Sequence, residues 1–113
     1  MRWLTFAICL LLSGCAARLT SIDMAAPEDR EIASLEEALR QKLGELDGSL
    51  SASPTPDCPH LCELSATICQ LGERICAIAG RRPELPDLSS RCQDARKSCD
   101  SARTRVAKTC ACE

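Results

Sequence analysis

Residues 58–112 read CPHLCELSATICQLGERICAIAGRRPELPDLSSRCQDARKSCDSARTRVAKTCAC, and this stretch decides the fold. Eight of the chain's ten cysteines lie in it. On an α-helix, a step of seven residues returns a side chain to within about 20° of its first direction. The spacing therefore predicts a stripe of thiols on each of two helices, with Cys62, Cys69 and Cys76 on the first and Cys92 and Cys99 on the second.

Apolar residues in the same stretch predict where the two helices lie. The first helix, expected from Pro59 to Ala79 with Gly80 as its C-cap, carries a heptad seam: Leu61, Leu64, Ile68, Leu71, Ile75 and Ile78. Two prolines then interrupt the helix, and Asp87 is expected to cap a second helix that runs from about Leu88 to Thr109. Two such helices, each about 30 Å long, form an antiparallel hairpin.

The hairpin predicts how the cysteines pair. In an antiparallel pair of helices, residues at one level have sequence numbers that add to a constant total. Cys76–Cys92 and Cys69–Cys99 share one total, which predicts these two inner bridges, and Cys58–Cys110 has the same total. The outer cysteines leave two arrangements open. A nested ladder, Cys62–Cys110 with Cys58–Cys112, is preferred. The alternative is Cys58–Cys110, which matches the total but leaves Cys62 to reach Cys112.

Disulfides suit a chain of this size. A domain of 113 residues or fewer buries little apolar surface, and a bridge that closes a loop of 15 or more residues contributes on the order of 3 kcal/mol. A disulfide also needs Cα atoms about 5.5 Å apart, closer than helix axes usually lie. Small side chains between the cysteines meet that need: Ser65, Ala66, Ala95 and Ala102.

The first residues have the form of an export signal. Arg2 is followed by an apolar run to Leu12, which is too short to span a bilayer. The next residues, Leu12-Ser13-Gly14-Cys15, resemble the lipobox of bacterial lipoproteins. That resemblance implies a signal peptide over residues 1–14, acylation of Cys15, and an anchor in the outer membrane, on its periplasmic or its surface face. An ordinary secretory signal cut near Ala16-Ala17 is the alternative.

Between the signal and the hairpin we expect three segments. Residues 15–27 form a tether, residues 28–47 form an amphipathic acidic helix, and residues 48–57 form a linker rich in serine and proline. The acidic helix has an apolar face made of Ile32, Leu35, Leu39, Leu43 and Leu46, with Leu50 a further candidate. Residues 58–113 complete the chain as the cysteine-rich hairpin.

The apolar seam of the first hairpin helix should need a cover. Each cysteine of the stripe follows a seam residue directly, so the stripe lies about 100° round the helix from the seam. The contact between the two hairpin helices therefore cannot fully bury both the stripe and the seam. The acidic helix, whose charge suits a basic second hairpin helix, is the nearest cover. The sequence thus predicts an all-α fold, a three-helix bundle. A homodimer or a protein partner that binds the seam is the rival.

Composition and motifs favour a protein without catalytic activity. The only Trp and Phe, Trp3 and Phe6, lie in the export signal, and the net charge is −2, so no nucleic-acid partner is expected. No cofactor or metal site is expected, because Cys-x2-Cys knuckles are absent. His60 lacks a catalytic pattern around it, and Cys110-Ala111-Cys112 is interpreted as a terminal staple. The alternative is a periplasmic protein that binds Cu(I) through reduced cysteines.

Two resemblances accompany these motifs. The paired cysteines resemble, in arrangement, the twin CX9C or CHCH helical hairpins, although six residues separate Cys69 from Cys76 and Cys92 from Cys99. The C-terminal half is also similar to small cysteine-rich lipoproteins of the myxobacterial type. Neither resemblance implies an activity.

Overall fold

The structure is a computed structural model that describes residues 26–52 and 54–113. These residues form three helices: α1 (Pro27–Ser51), α2 (Cys58–Gly80) and α3 (Pro86–Ala107). The predicted all-α fold is confirmed, and the described residues include no strand. α2 runs antiparallel to both α1 and α3, so the bundle is up, down, up. The signal peptide, Cys15 and the tether up to residue 25 lie outside the described residues.

Each helix begins with a proline in its first turn, where the missing N–H costs nothing. α2 also has a side-chain cap, because the carboxylate of Asp57 accepts a hydrogen bond of 3.2 Å from the backbone N–H of His60. The predicted cap on α3 is wrong: Leu85 is the N-cap, and Asp87 lies in the first turn of the helix. Asp87 there faces the positive end of the helix dipole.

The acidic helix is longer than predicted. α1 continues through Gly48 to Ser51, so the linker shrinks from residues 48–57 to residues 52–57. The reason is packing: Leu46 is fully buried and Leu50 is half-buried against the core, and this contact holds the last turns in helical form despite Gly44 and Gly48. Tertiary burial here outweighs the low helix propensity of glycine.

The core lies between α1 and α2. All six residues of the predicted seam are buried, and they form one cluster with four residues of α1: Ile32, Leu35, Leu39 and Leu46. α3 adds Leu88 and Val106, together with the small residues Ala95 and Ala102. The seam is therefore covered from within the chain, and a homodimer or a partner protein could bind it only after α1 had moved away.

Ion pairs fix the direction of α1 on the hairpin. At one end Glu28 pairs with Arg82 and Glu31 with Arg81, at 3.1 and 3.4 Å. At the other end Asp47 pairs with Arg105. The acidic helix thus meets arginines of the turn and of α3, as its charge predicted. No helix in the described part of the chain is long and apolar enough to cross a membrane.

Candidate functional site

The candidate site is the disulfide ladder that joins α2 to α3. All eight cysteines of the described residues are oxidised, in four bridges. The two inner bridges, Cys76–Cys92 and Cys69–Cys99, are the pairs that the sequence predicts, and the Cα atoms of each lie 4.6 Å apart. The ladder therefore closes the hairpin covalently along its length.

The helices approach closely between the inner bridges because the residues there are small. Gly72 lies between Cys69 and Cys76 and is buried against Ala95. A Cβ atom at Gly72 would lie 3.3 Å from the carbonyl oxygen of Ala95, which is a tight contact. Glycine at this position therefore lets the two backbones approach closely without a shift of the Ala95 carbonyl. Ala95 is among the small residues that the sequence predicts at this interface, and Gly72 is not, although its place between two cysteines of the stripe is a signal for close approach.

The preferred pairing of the outer cysteines is wrong. The structure has Cys58–Cys110 and Cys62–Cys112, with Cα atoms 5.5 and 5.6 Å apart, instead of Cys62–Cys110 and Cys58–Cys112. The nested ladder departs from the constant total of sequence numbers, whereas Cys58–Cys110 keeps the total of the two inner bridges, so the hairpin register extends to this pair. Beyond it the helix no longer sets the register, because α3 ends at Ala107 and residues 110–113 have no regular secondary structure. The N–H of Cys110 still donates to the Val106 carbonyl, at 2.8 Å. The chain beyond Cys110 then turns back, and Cys112 reaches Cys62, one helical turn inside Cys58.

The four bridges differ in exposure. Three of them each include one buried cysteine: Cys69 is 5% exposed, Cys92 is 8% exposed and Cys110 is 6% exposed. The fourth, Cys62–Cys112, joins a half-buried residue to an exposed one. Each of the first three bridges thus has one buried residue, and the bridge that holds Cys112 has none.

Two grooves lie beside the ladder. One follows the inner bridges over Gly72, with Arg96, Arg103, Glu73 and Asp100 at its edges. The other lies at the end of the bundle next to Cys62 and Cys112, and its lining also includes Arg103 and Glu113. Within the described part of the chain, neither Arg96 nor Arg103 forms an ion pair. The charge of the basic second hairpin helix predicts contacts with the acidic helix, and these two arginines do not make them.

Arg91 is the most buried charged group near the ladder, with 19% of its side chain exposed. Its guanidinium donates to both carboxylate oxygens of Glu36 and to Asp29. The hydrogen bond to Glu36 is the main cause that raises the pKa of Arg91, with Asp29 adding to it. Arg91 therefore stays charged throughout the physiological range and fixes α1 to the start of α3.

The turn between α2 and α3 carries a second, more exposed charge cluster. Arg82 donates to Glu84 at 2.5 Å and to Glu28 at 3.1 Å. The bond from Arg82 lowers the pKa of Glu84, whereas the pKa of Glu28 is lowered mainly by a hydrogen bond from its own backbone N–H. These groups are solvated, so the cluster orients the turn more than it stabilises the bundle.

The remaining residues singled out by sequence lie in different places. His60 is exposed in the first turn of α2. Among the described residues, no cluster of three or more histidine, cysteine or carboxylate side chains has the arrangement of a metal site. Cys15, the predicted lipidation site, lies outside the described residues.

A scan against models of protein families matched none, and searches of the curated proteins and of the solved structures found no similar protein.

Proposed function

We propose that this chain is an exported lipoprotein, acylated at Cys15 and anchored in the bacterial outer membrane. Its folded part serves as a rigid structural or protein-interaction module without catalytic activity. Two independent features support the proposal. One is the lipobox-like sequence Leu12-Ser13-Gly14-Cys15, and the other is the set of four bridges that close the hairpin.

The bridges are the observation that carries the proposal. Disulfides form and persist in exported proteins and are rare in the reducing cytosol. All eight cysteines of residues 58–112 are paired with one another across one hairpin. This complete pairing suits a chain that folds after export. Two or three acyl chains on Cys15 would make the anchor stable, since each buried CH₂ contributes about 0.8 kcal/mol.

Metabolic labelling with a clickable palmitate analogue tests the anchor. The full chain is expressed in a bacterium with an outer membrane, beside two single variants, Cys15→Ser and Cys9→Ser. We expect label in the wild type and in Cys9→Ser, because Cys9 lies within the segment that is removed. Label that survives in Cys15→Ser would contradict lipidation at this residue.

Thiol counting tests the module against Cu(I) binding. The exported protein is purified without reductant, alkylated under denaturing conditions and weighed intact, and its copper content is measured. The proposal expects no alkylated cysteine in residues 58–112 and no copper. Eight alkylated cysteines with bound copper would replace the structural role by metal binding through the same residues.

A further inference from the structure

The Cys62–Cys112 bridge differs from the rest of the ladder in its surroundings. Neither of its cysteines is buried, and Ala111 and Glu113 on either side of Cys112 are exposed as well. The residues that carry Cys112 have no regular secondary structure, so no helix restrains it. The other three bridges each have a sulfur whose residue is buried in the bundle.

A cavity of about 320 Å³ lies directly against this bridge. Cys62 and Cys112 both contribute to its lining, so a thiolate in the cavity would have access to the disulfide. Arg103 lines the same cavity, and it forms no ion pair with the residues that the structure describes. A guanidinium beside a disulfide favours exchange, because it stabilises the thiolates that attack and leave.

We propose that Cys62–Cys112 and the cavity beside it form a thiol-exchange site for dithiols, the chemical class of the paired cysteines in exported thiol oxidoreductases. The inference goes beyond the structural role and does not depend on the lipid anchor. It concerns one bridge, while the remaining three keep the hairpin closed.

The exchange has two balanced steps. A thiolate of the dithiol attacks Sγ of the exposed Cys112; the bond to Cys62 breaks, and the electron pair leaves on Cys62 Sγ, which takes up a proton. The mixed disulfide now joins the first sulfur of the dithiol to Cys112 Sγ. The second thiolate of the dithiol attacks that first sulfur, the bond to Cys112 breaks, and Cys112 leaves as a thiolate. The dithiol is oxidised to a disulfide, and Cys62 and Cys112 are reduced to thiols.

The structural consequence is local. Opening this bridge frees residues 111–113, whereas Cys58–Cys110 still fixes the end of α3 to the start of α2. The site is therefore a clasp on the C-terminal tail, which a dithiol opens without unfolding the bundle.

Timed partial reduction tests the site in the full chain. Purified protein is treated with dithiothreitol, quenched with iodoacetamide at intervals, then fully reduced, labelled with a heavy alkylating reagent and mapped by mass spectrometry. We expect Cys62 and Cys112 to take the light label together, about tenfold faster than any other cysteine, because exposure controls access of the thiolate. Earlier opening of another bridge, or equal rates for all four, would overturn the proposal.

Two kinds of variant sharpen the test. The double variant Cys62→Ser/Cys112→Ser should lose the fast phase and keep three bridges; a fast phase that persists would refute the assignment.

Arg103→Gln should slow the fast phase about threefold at low ionic strength, and Arg103→Lys should restore it, because the charge acts on the thiolates. Arg96→Gln is the matched control, since Arg96 is also an exposed, unpaired arginine of α3 but lies along the inner groove. Equal slowing of the fast phase in Arg96→Gln, or no slowing in Arg103→Gln, would refute the claim that the cavity with Arg103 promotes exchange at this bridge.

Discussion

The two halves of this bundle are held together by different means. α2 and α3 are joined by four disulfides, with small residues between the inner bridges. α1 is held on α2 by leucine and isoleucine side chains, and on the turn and α3 by ion pairs. α1 has no covalent connection to the hairpin except the linker, residues 52–57. The hairpin is thus fixed by its bonds, and α1 is fixed by burial.

The difference follows from the distance between the helices. A disulfide requires backbones too close for a layer of leucines, so the residues between the inner bridges are small and bury less apolar surface than leucines would. The α1 interface keeps the usual layer of large side chains. We therefore expect changes in redox state to act first on the hairpin, and changes in core packing to act first on α1.

Complete reduction should have the largest effect. Loss of one native disulfide from a small exported domain costs about 2–5 kcal/mol, and this domain would lose four. We expect most helical circular dichroism at 222 nm to disappear at 37 °C in the reduced and alkylated protein. Reduced protein that is reoxidised before measurement is the control and should regain the signal. A reduced protein that melts like the oxidised one would show that packing alone holds the hairpin.

Leu46→Ala should release α1 and leave the hairpin closed. Leu46 is 0% exposed, and truncation of such a leucine costs about 2–5 kcal/mol. Hydrogen exchange should then speed up through residues 27–51, with little change in α2 and α3. Leu50→Ala is the matched control, because Leu50 is only half-buried. Protection lost equally in all three helices would mean that α1 and the hairpin unfold as one unit.

The same substitution at two glycines should have opposite effects. Gly44→Ala should stabilise the protein by about 0.5–1 kcal/mol, because nothing lies within 4 Å of the added Cβ and alanine favours the helix. Gly72→Ala should destabilise it by about 1 kcal/mol, because the contact with Ala95 is tight and bridges on either side prevent the helices from separating. Guanidinium unfolding of the oxidised proteins measures both. A gain at both positions would mean that the close approach at Gly72 is relieved easily.

Arg91→Gln should lower the free energy of unfolding by about 1 kcal/mol, well below the effect of Leu46→Ala. The variant leaves the carboxylates of Glu36 and Asp29 without their partner at the contact between α1 and α3. Arg96→Gln should stay within about 0.5 kcal/mol, because that side chain is exposed. Thermal unfolding measures the stability of both variants. Equal losses of stability would show that the ion pairs of Arg91 contribute no more than an exposed, unpaired arginine does.

Much of the fold could be predicted because the cysteines and the apolar residues repeat along the sequence with the period of an α-helix. The step of seven between cysteines determined the stripes, and the constant total of sequence numbers determined Cys69–Cys99 and Cys76–Cys92. The spacing of Ile32, Leu35 and Leu39 gave the apolar face of α1, since an amphipathic helix repeats every 3.6 residues. These signals depend only on helix geometry, which the sequence expresses directly.

The rest depends on where helices stop and on contacts that the sequence does not express. Cys58–Cys110 follows from the constant total of sequence numbers, but Cys62–Cys112 requires the chain to turn back beyond Cys110, and no sequence pattern at Ala111 predicts that turn. Glycine propensity predicts an early end for α1, whereas the burial of Leu46 carries the helix on to Ser51. The close contact at Gly72 depends on the position of the Ala95 carbonyl, which no sequence pattern expresses.

The topology also gives the molecule two unlike poles. α1 begins beside the turn, where Glu28 meets Arg82, so the polypeptide enters the bundle at the end opposite to Cys62 and Cys112. A helix of 25 residues is about 37 Å long, which separates the two poles by most of the length of the bundle. A chain tethered through Cys15 would therefore be held by its turn pole, and its C-terminal clasp would stand at the far pole, where a dithiol enzyme has more room to dock.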